Sequence, residues 1–124
     1  MTDRPFTLYE GSEHHSRSFT FVEDPIDVYV AVLNQYQTAI GHIFNIGSDL
    51  EFTTGEGIAL VEEILGKPAE KVIVPKRPGD QLRTCANIAK AKNMLGYVPK
   101  TRLKDGLAVQ AAWFEEKLKA GAFQ

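Results

Sequence analysis

Arg77 and Asp80 flank a Pro78-Gly79 pair at the head of the stretch RPGDQLRTCANIAKAKNMLGYVP, residues 77–99. Proline presets φ for the first corner of a tight turn and glycine tolerates positive φ at the next, so the two charged side chains are held on a rigid bend. An arginine fixed in that way suits a phosphate, through charge-assisted and often two-pronged contacts, and an aspartate beside it suits a sugar hydroxyl. The same residues can equally be read as a surface turn with an exposed ion pair, which contributes little. His14 and His15 form a second cluster, in the polar loop EGSEHHS. Adjacent histidines without a third ligand at helical or hairpin spacing read as solvated side chains, so no metal is expected. Cys85 is the single cysteine, without a disulfide partner or zinc-site spacing, and reads as a small buried apolar residue.

The elements that must position these residues alternate between extended and helical, which predicts an α/β or α+β domain with a small mixed sheet and about four helices. PFTLYE and RSFTFVE are short, aromatic and β-branched, and the polar loop between them makes an antiparallel pair the simplest reading. Asp24 is placed as N-cap of a helix entered through Pro25, with an apolar stripe of Ile26, Val30 and Leu33 beside Val32. HIFNIG, residues 42–47, reads as a buried strand that needs a neighbour on each side. Thr53 and Glu56 have capping-box spacing ahead of a helix closed by Gly66 and Pro68. KVIVP is a strand leading into the Arg77 turn, and Asn87 can cap a short helix that Gly96 stops. The last helix, from about Leu103, carries Leu107, Ala111, Phe114 and Leu118 on one stripe, with Trp113 at its flank.

A length of 124 residues with 44% hydrophobic composition fits one domain, residues 1–124. A net charge of −2 and a pI near 5.9 leave no basic field for nucleic acid. No apolar run is long enough to cross a bilayer and MTDRPFTLYEGSEHH is no signal peptide, so neither a membrane nor an export route is expected and the expected location is cytoplasmic.

Taken in order, PFTLY, RSFTFVED, HIFNIGS, RPGD and NIAKAKNMLGYVP resemble successive motifs in the carboxy-terminal, substrate-binding portion of extended short-chain dehydrogenase/reductases of the NAD-dependent epimerase/dehydratase family. That group includes UDP-glucose and UDP-glucuronate 4-epimerases and dTDP-glucose 4,6-dehydratases. The resemblance implies that Arg77 and Arg17 approach the diphosphate of a nucleotide sugar and that Asp80 approaches its ribose. Ser18 stands where the family commonly has aspartate.

The resemblance also implies chemistry that these residues do not supply. Family enzymes pass a hydride to NAD on a glycine-rich Rossmann turn and move a proton with a Tyr-x-x-x-Lys pair. Here the residues four after Tyr9, Tyr29, Tyr36 and Tyr97 are Glu13, Leu33, Ile40 and Thr101, and no glycine triplet has the cradling spacing. No catalytic residue is therefore expected, no cofactor is expected to be held by this chain alone, and an isolated epimerase or dehydratase cycle is not expected. Three roles follow: a UDP- or dTDP-sugar binding module, one part of a split enzyme completed by a Rossmann-bearing chain, or an oligomerisation domain with an idle site. By the same resemblance the Pro25 helix and the HIFNIG strand lie against the Rossmann sheet. Their apolar surface would otherwise be bare, which predicts a homo-oligomer.

Overall fold

The computed structural model describes residues 4–122. In chain order the elements are β1 (Phe6–Tyr9), a 3-10 turn (Ser12–His14), β2 (Ser16–Arg17), α1 (Ile26–Asn34), α2 (Tyr36–Ala39), β3 (Phe52–Thr53), α3 (Thr54–Leu65), β4 (Lys71–Val74), β5 (Arg83–Thr84), α4 (Ala89–Leu95) and α5 (Leu103–Lys119). The mixed α/β architecture is the expected one; the helix beyond about four is the single-turn α2. Two compact units share the chain. One takes residues up to 15, then 53–82 and those from 102 onward; the other takes residues 16–52 and 83–101.

In the first unit the capping box forms as its spacing predicts. Thr53 Oγ1 accepts from the Glu56 backbone N–H at 3.1 Å, and Glu56 Oε2 accepts from the Thr53 N–H at 2.6 Å. Gly66 ends α3 in the left-handed region at φ 61°, where a side chain would be strained. Helix α5 packs against α3, with Leu107, Ala111, Phe114 and Leu118 half-buried and Trp113 50% exposed at the flank. Lys104 Nζ donates to Glu63 across the two helices at 2.6 Å.

The antiparallel reading of PFTLYE with RSFTFVE is corrected. Strand β1 pairs in parallel with β4, from Phe6 opposite Lys71 to Tyr9 opposite Val74. The reason lies in the loop. Gly11 at φ 79° starts the 3-10 turn, and His15 then presents its carbonyl to the Thr54 N–H at 2.9 Å. The chain is thereby tied to the start of α3 instead of reversing along β1. Of RSFTFVE only Arg17 is strand; with Ser16 before it, it forms β2, paired in parallel with Arg83 and Thr84.

In the second unit Val28, Ala39, Ile88, Ala91, Leu95 and Tyr97 form the buried cluster, with Phe44 and Ile46 packed partly against it. Tyr97 is 3% exposed, and its hydroxyl donates to the Gly47 carbonyl at 2.9 Å, so the polar end of a buried ring is satisfied. Asn87 Oδ1 accepts from the Ala89 N–H at 3.1 Å at the entrance to α4, and Gly96, at φ 68°, stops that helix.

Three expectations are corrected here. Asp24 does not cap α1: its buried carboxylate accepts from Thr101 Oγ1 at 2.7 Å and the Thr101 N–H at 3.2 Å, while the Ile26 N–H at the helix entrance is taken by the Glu23 carbonyl at 3.0 Å. The inward face of α1 is Val28 with Ala31 and Val32, while Ile26, Val30 and Leu33 point outward. Residues 42–46 form no strand. Phe44 and Ile46 turn in, Ile43 is 86% exposed, and no strand in this unit lies beside them to complete a ladder.

Candidate functional site

The Arg77 turn hangs from the carboxyl end of β4. Val74 closes the parallel ladder opposite Tyr9, and three residues later the chain reaches Arg77 and bends over Pro78 and Gly79. Gly79 has φ 82°, the positive value that the sequence assigns to it; a side chain there would find open space but a strained backbone.

Within the bend Arg77 donates from Nε at 2.8 Å and from Nη2 at 2.5 Å, both to Asp80 Oδ1. The carboxylate also lifts the arginine's pKa further, by the hydrogen bond first and by its charge second. Asp80 is largely covered, its side chain 14% exposed, whereas that of Arg77 is 61% exposed. Tyr9 supplies a platform: the Arg77 guanidinium carbon lies 5.2 Å from its ring centroid, within cation–π range. Sequence reasoning missed Tyr9 because only the β1–β4 register brings it to the turn.

Of the residues singled out in the sequence, the structure thus brings Arg77 and Asp80 into contact. Arg17 belongs to the second unit, in β2 opposite Thr84, and its Nη1 donates to the Ser16 carbonyl at 2.7 Å. Beside it Arg83, also unforeseen, grips Glu51 with two bonds of 2.7 and 2.6 Å, and Ser16 Oγ donates to the same carboxylate at 3.2 Å. That arginine holds Glu51 below the usual carboxylate range. The signal for the pair was faint, since the partners are thirty-two residues apart in sequence.

Cys85 is exposed, which corrects its reading as a buried apolar residue: it follows a strand of only two residues that leaves its side chain at the surface. Among the described residues no group of three or more His, Cys, Asp or Glu side chains is placed to hold a metal. Among the described residues no helix is long and apolar enough to cross a membrane.

A short parallel ladder ending in an arginine-bearing turn defines a mixed α/β chain that carries charged side chains at the carboxyl end of a strand. Comparison with known proteins then gives the family. The sequence model for GDP-mannose 4,6 dehydratase matches residues 2–109, and the chain belongs to this family of NAD-dependent sugar epimerases and dehydratases. It is 34% identical over 113 residues to the uncharacterized UDP-glucose epimerase YtcB of Bacillus subtilis, covering 91% of this chain and 35% of that protein. The crystal structure of UDP-glucuronic acid 4-epimerase from Bacillus cereus, in complex with UDP-glucuronic acid and NAD, superposes with a TM-score of 0.82 at 33% identity, over 92% of this chain and 36% of that one. UDP-glucose 4-epimerase of Thermotoga maritima with UDP-glucose gives 0.75 at 28% identity, over 94% and 36%. The chain therefore spans about a third of the length of these relatives, and the match lies in their carboxy-terminal part.

Proposed function

We propose that this chain binds the nucleotide diphosphate portion of a UDP- or dTDP-sugar, as the substrate-binding part of an epimerase or dehydratase. The observation that carries the reading is the Arg77–Asp80 turn. Arg77 is oriented by Asp80 and Tyr9, while among the described residues Nη1 of the arginine and Oδ2 of the aspartate make no hydrogen bond. A diphosphate oxygen suits the first and a ribose hydroxyl suits the second. Support comes from the relatives whose structures hold UDP-glucuronic acid with NAD, or UDP-glucose.

The test is a thermal-shift and calorimetric screen against UDP-glucose, UDP-glucuronate and dTDP-glucose at millimolar concentration. A rise in melting temperature that Arg77→Ala abolishes is the expected result. Absence of any shift with all three overturns the proposal.

A second reading is favoured by the share of the relatives that the chain spans. The chain would then contribute the sugar site of an enzyme whose NAD-binding turn and Tyr-x-x-x-Lys pair are supplied in addition to residues 1–124. No NAD is assigned to this chain's own residues. Turnover of a UDP-sugar on mixing with such a Rossmann-bearing chain, and not with either alone, would establish it.

A further inference from the structure

Asp80 holds Arg77 through one oxygen. Nε and Nη2 both donate to Oδ1, at 2.8 and 2.5 Å. A guanidinium is planar and trigonal, so a line drawn from that oxygen through the central carbon continues along the bond to Nη1. The carboxylate therefore fixes where Nη1 sits, while the plane of the fork can still turn about this line. Turning swings the two Nη1 hydrogens, and among the described residues Nη1 has no hydrogen-bond partner to stop it.

Tyr9 meets the fork on its face. The guanidinium carbon lies over the ring, 5.2 Å from the centroid, and an arginine at that range is drawn flat against an aromatic face. The backbone fixes the ring in place. Tyr9 stands opposite Val74 in the parallel ladder, and the next N–H, of Glu10, donates to the Val74 carbonyl at 2.9 Å. Arg77 follows Val74 by three residues, so ring and guanidinium are carried by neighbouring ends of one bonded pair of strands. The Tyr9 hydroxyl makes no hydrogen bond among the described residues, which leaves the ring as the part that acts.

We infer that Tyr9 is a positioning residue for Arg77: its ring sets the plane of the guanidinium, and with it the direction in which Nη1 offers its hydrogens to a diphosphate oxygen. This rests on the binding function proposed above and adds to it the residue that aims the arginine. The carboxylate acts on the edge of the fork and the ring on its face, so together they remove a rotation that either alone leaves open. Freedom removed before the ligand arrives is not lost on binding. A lysine at the same position would have no plane to set.

Calorimetry with UDP-glucose, UDP-glucuronate and dTDP-glucose tests it. Tyr9→Leu, which keeps an apolar side chain on β1, should lower affinity about fivefold with the circular dichroism unchanged. Tyr9→Phe, which keeps the ring, should bind within about twofold of the parent chain. In an Arg77→Lys background Tyr9→Leu should change affinity by less than about twofold, because an ammonium has no plane for the ring to set. A second readout needs no ligand: the ring current should shift the Arg77 side-chain protons upfield in the NMR spectra of the parent and of Tyr9→Phe, and the shift should vanish in Tyr9→Leu. Full affinity in Tyr9→Leu overturns the inference. So does an equal loss in the arginine and lysine backgrounds, which would put the ring against the ligand itself, and so does a Tyr9→Phe variant as weak as Tyr9→Leu. A parent chain that binds none of the three nucleotide sugars overturns the binding function instead, and the Arg77 proton shift then decides by itself whether Tyr9 holds the guanidinium.

Discussion

Arg77 directs two of its nitrogens, Nε at 2.8 Å and Nη2 at 2.5 Å, onto a single oxygen of Asp80. The fork is fixed from one side only, and the bend at Pro78 and Gly79 keeps both residues on one short piece of chain. A group oriented before its ligand arrives loses less freedom on binding.

Arg77→Lys separates orientation from charge. Lysine keeps the cation but loses the planar fork and the hold on Asp80, so nucleotide-sugar affinity measured by calorimetry should fall about tenfold or more, approaching that of Arg77→Ala. Equal affinity in the lysine variant would reduce the site to plain charge attraction.

Tyr97→Phe removes the donor to the Gly47 carbonyl and leaves a partly enclosed acceptor, a change expected to cost about 1–2 kcal/mol in urea unfolding. Burial, and then the charge of Asp24, raises the pKa of Tyr97 above the ordinary tyrosine value. The unfolded chain therefore ionises this tyrosine first, and stability should decline as pH rises past about 10, a decline that the phenylalanine variant lacks.

Asp24 and Thr101 should behave as one unit. Asp24→Ala leaves the Thr101 donors without their acceptor and is expected to destabilise by about 1–3 kcal/mol. Thr101→Val in that background should add far less than it does alone, giving a coupling of at least about 0.5 kcal/mol in a double-mutant cycle. Additive effects would show that the two residues act separately.

The capping box makes a prediction in acid. The Thr53 N–H and then its hydroxyl, both bonded to the Glu56 carboxylate, hold the pKa of that group below the usual glutamate value. The stabilisation is therefore complete above the unfolded pKa of about 4.3 and is lost as pH falls through the lower folded value. Glu56→Gln should flatten that part of the stability–pH profile, and Thr53→Ala should cost about 1 kcal/mol at neutral pH. A Glu56→Gln profile identical to that of the parent chain would contradict it.

The elements governed by neighbours in sequence were legible before any fold was known. The Thr53–Glu56 box, the left-handed glycines at 66, 79 and 96, and the α5 stripe from Leu107 to Leu118 each follow from contacts within a few residues. Pairing was not legible. PFTLYE and RSFTFVE have hairpin composition, yet the 3-10 turn and the His15 to Thr54 bond carry the chain away from β1, and β4 takes the place beside it. Which side of α1 faces inward was ambiguous for a related reason: with apolar residues all round, periodicity names two faces and only packing against α4 selects Val28. Asp24 looked like a cap because caps are local, and the partner that took it, Thr101, lies 77 residues away.

The candidate site divides in the same way. By itself the sequence determined the Arg-Pro-Gly-Asp bend, since proline and glycine dictate their own dihedrals and hold the two charged residues three apart. Tertiary structure decided what surrounds that bend: Tyr9 beneath the guanidinium, through a register set sixty-five residues away, and the exposed position of Cys85. Local dihedral preferences are properties of the residues themselves. Register, burial and long-range partners arise only when distant segments compete for the same hydrogen bonds and the same apolar surface, and that competition is settled by the folded chain as a whole.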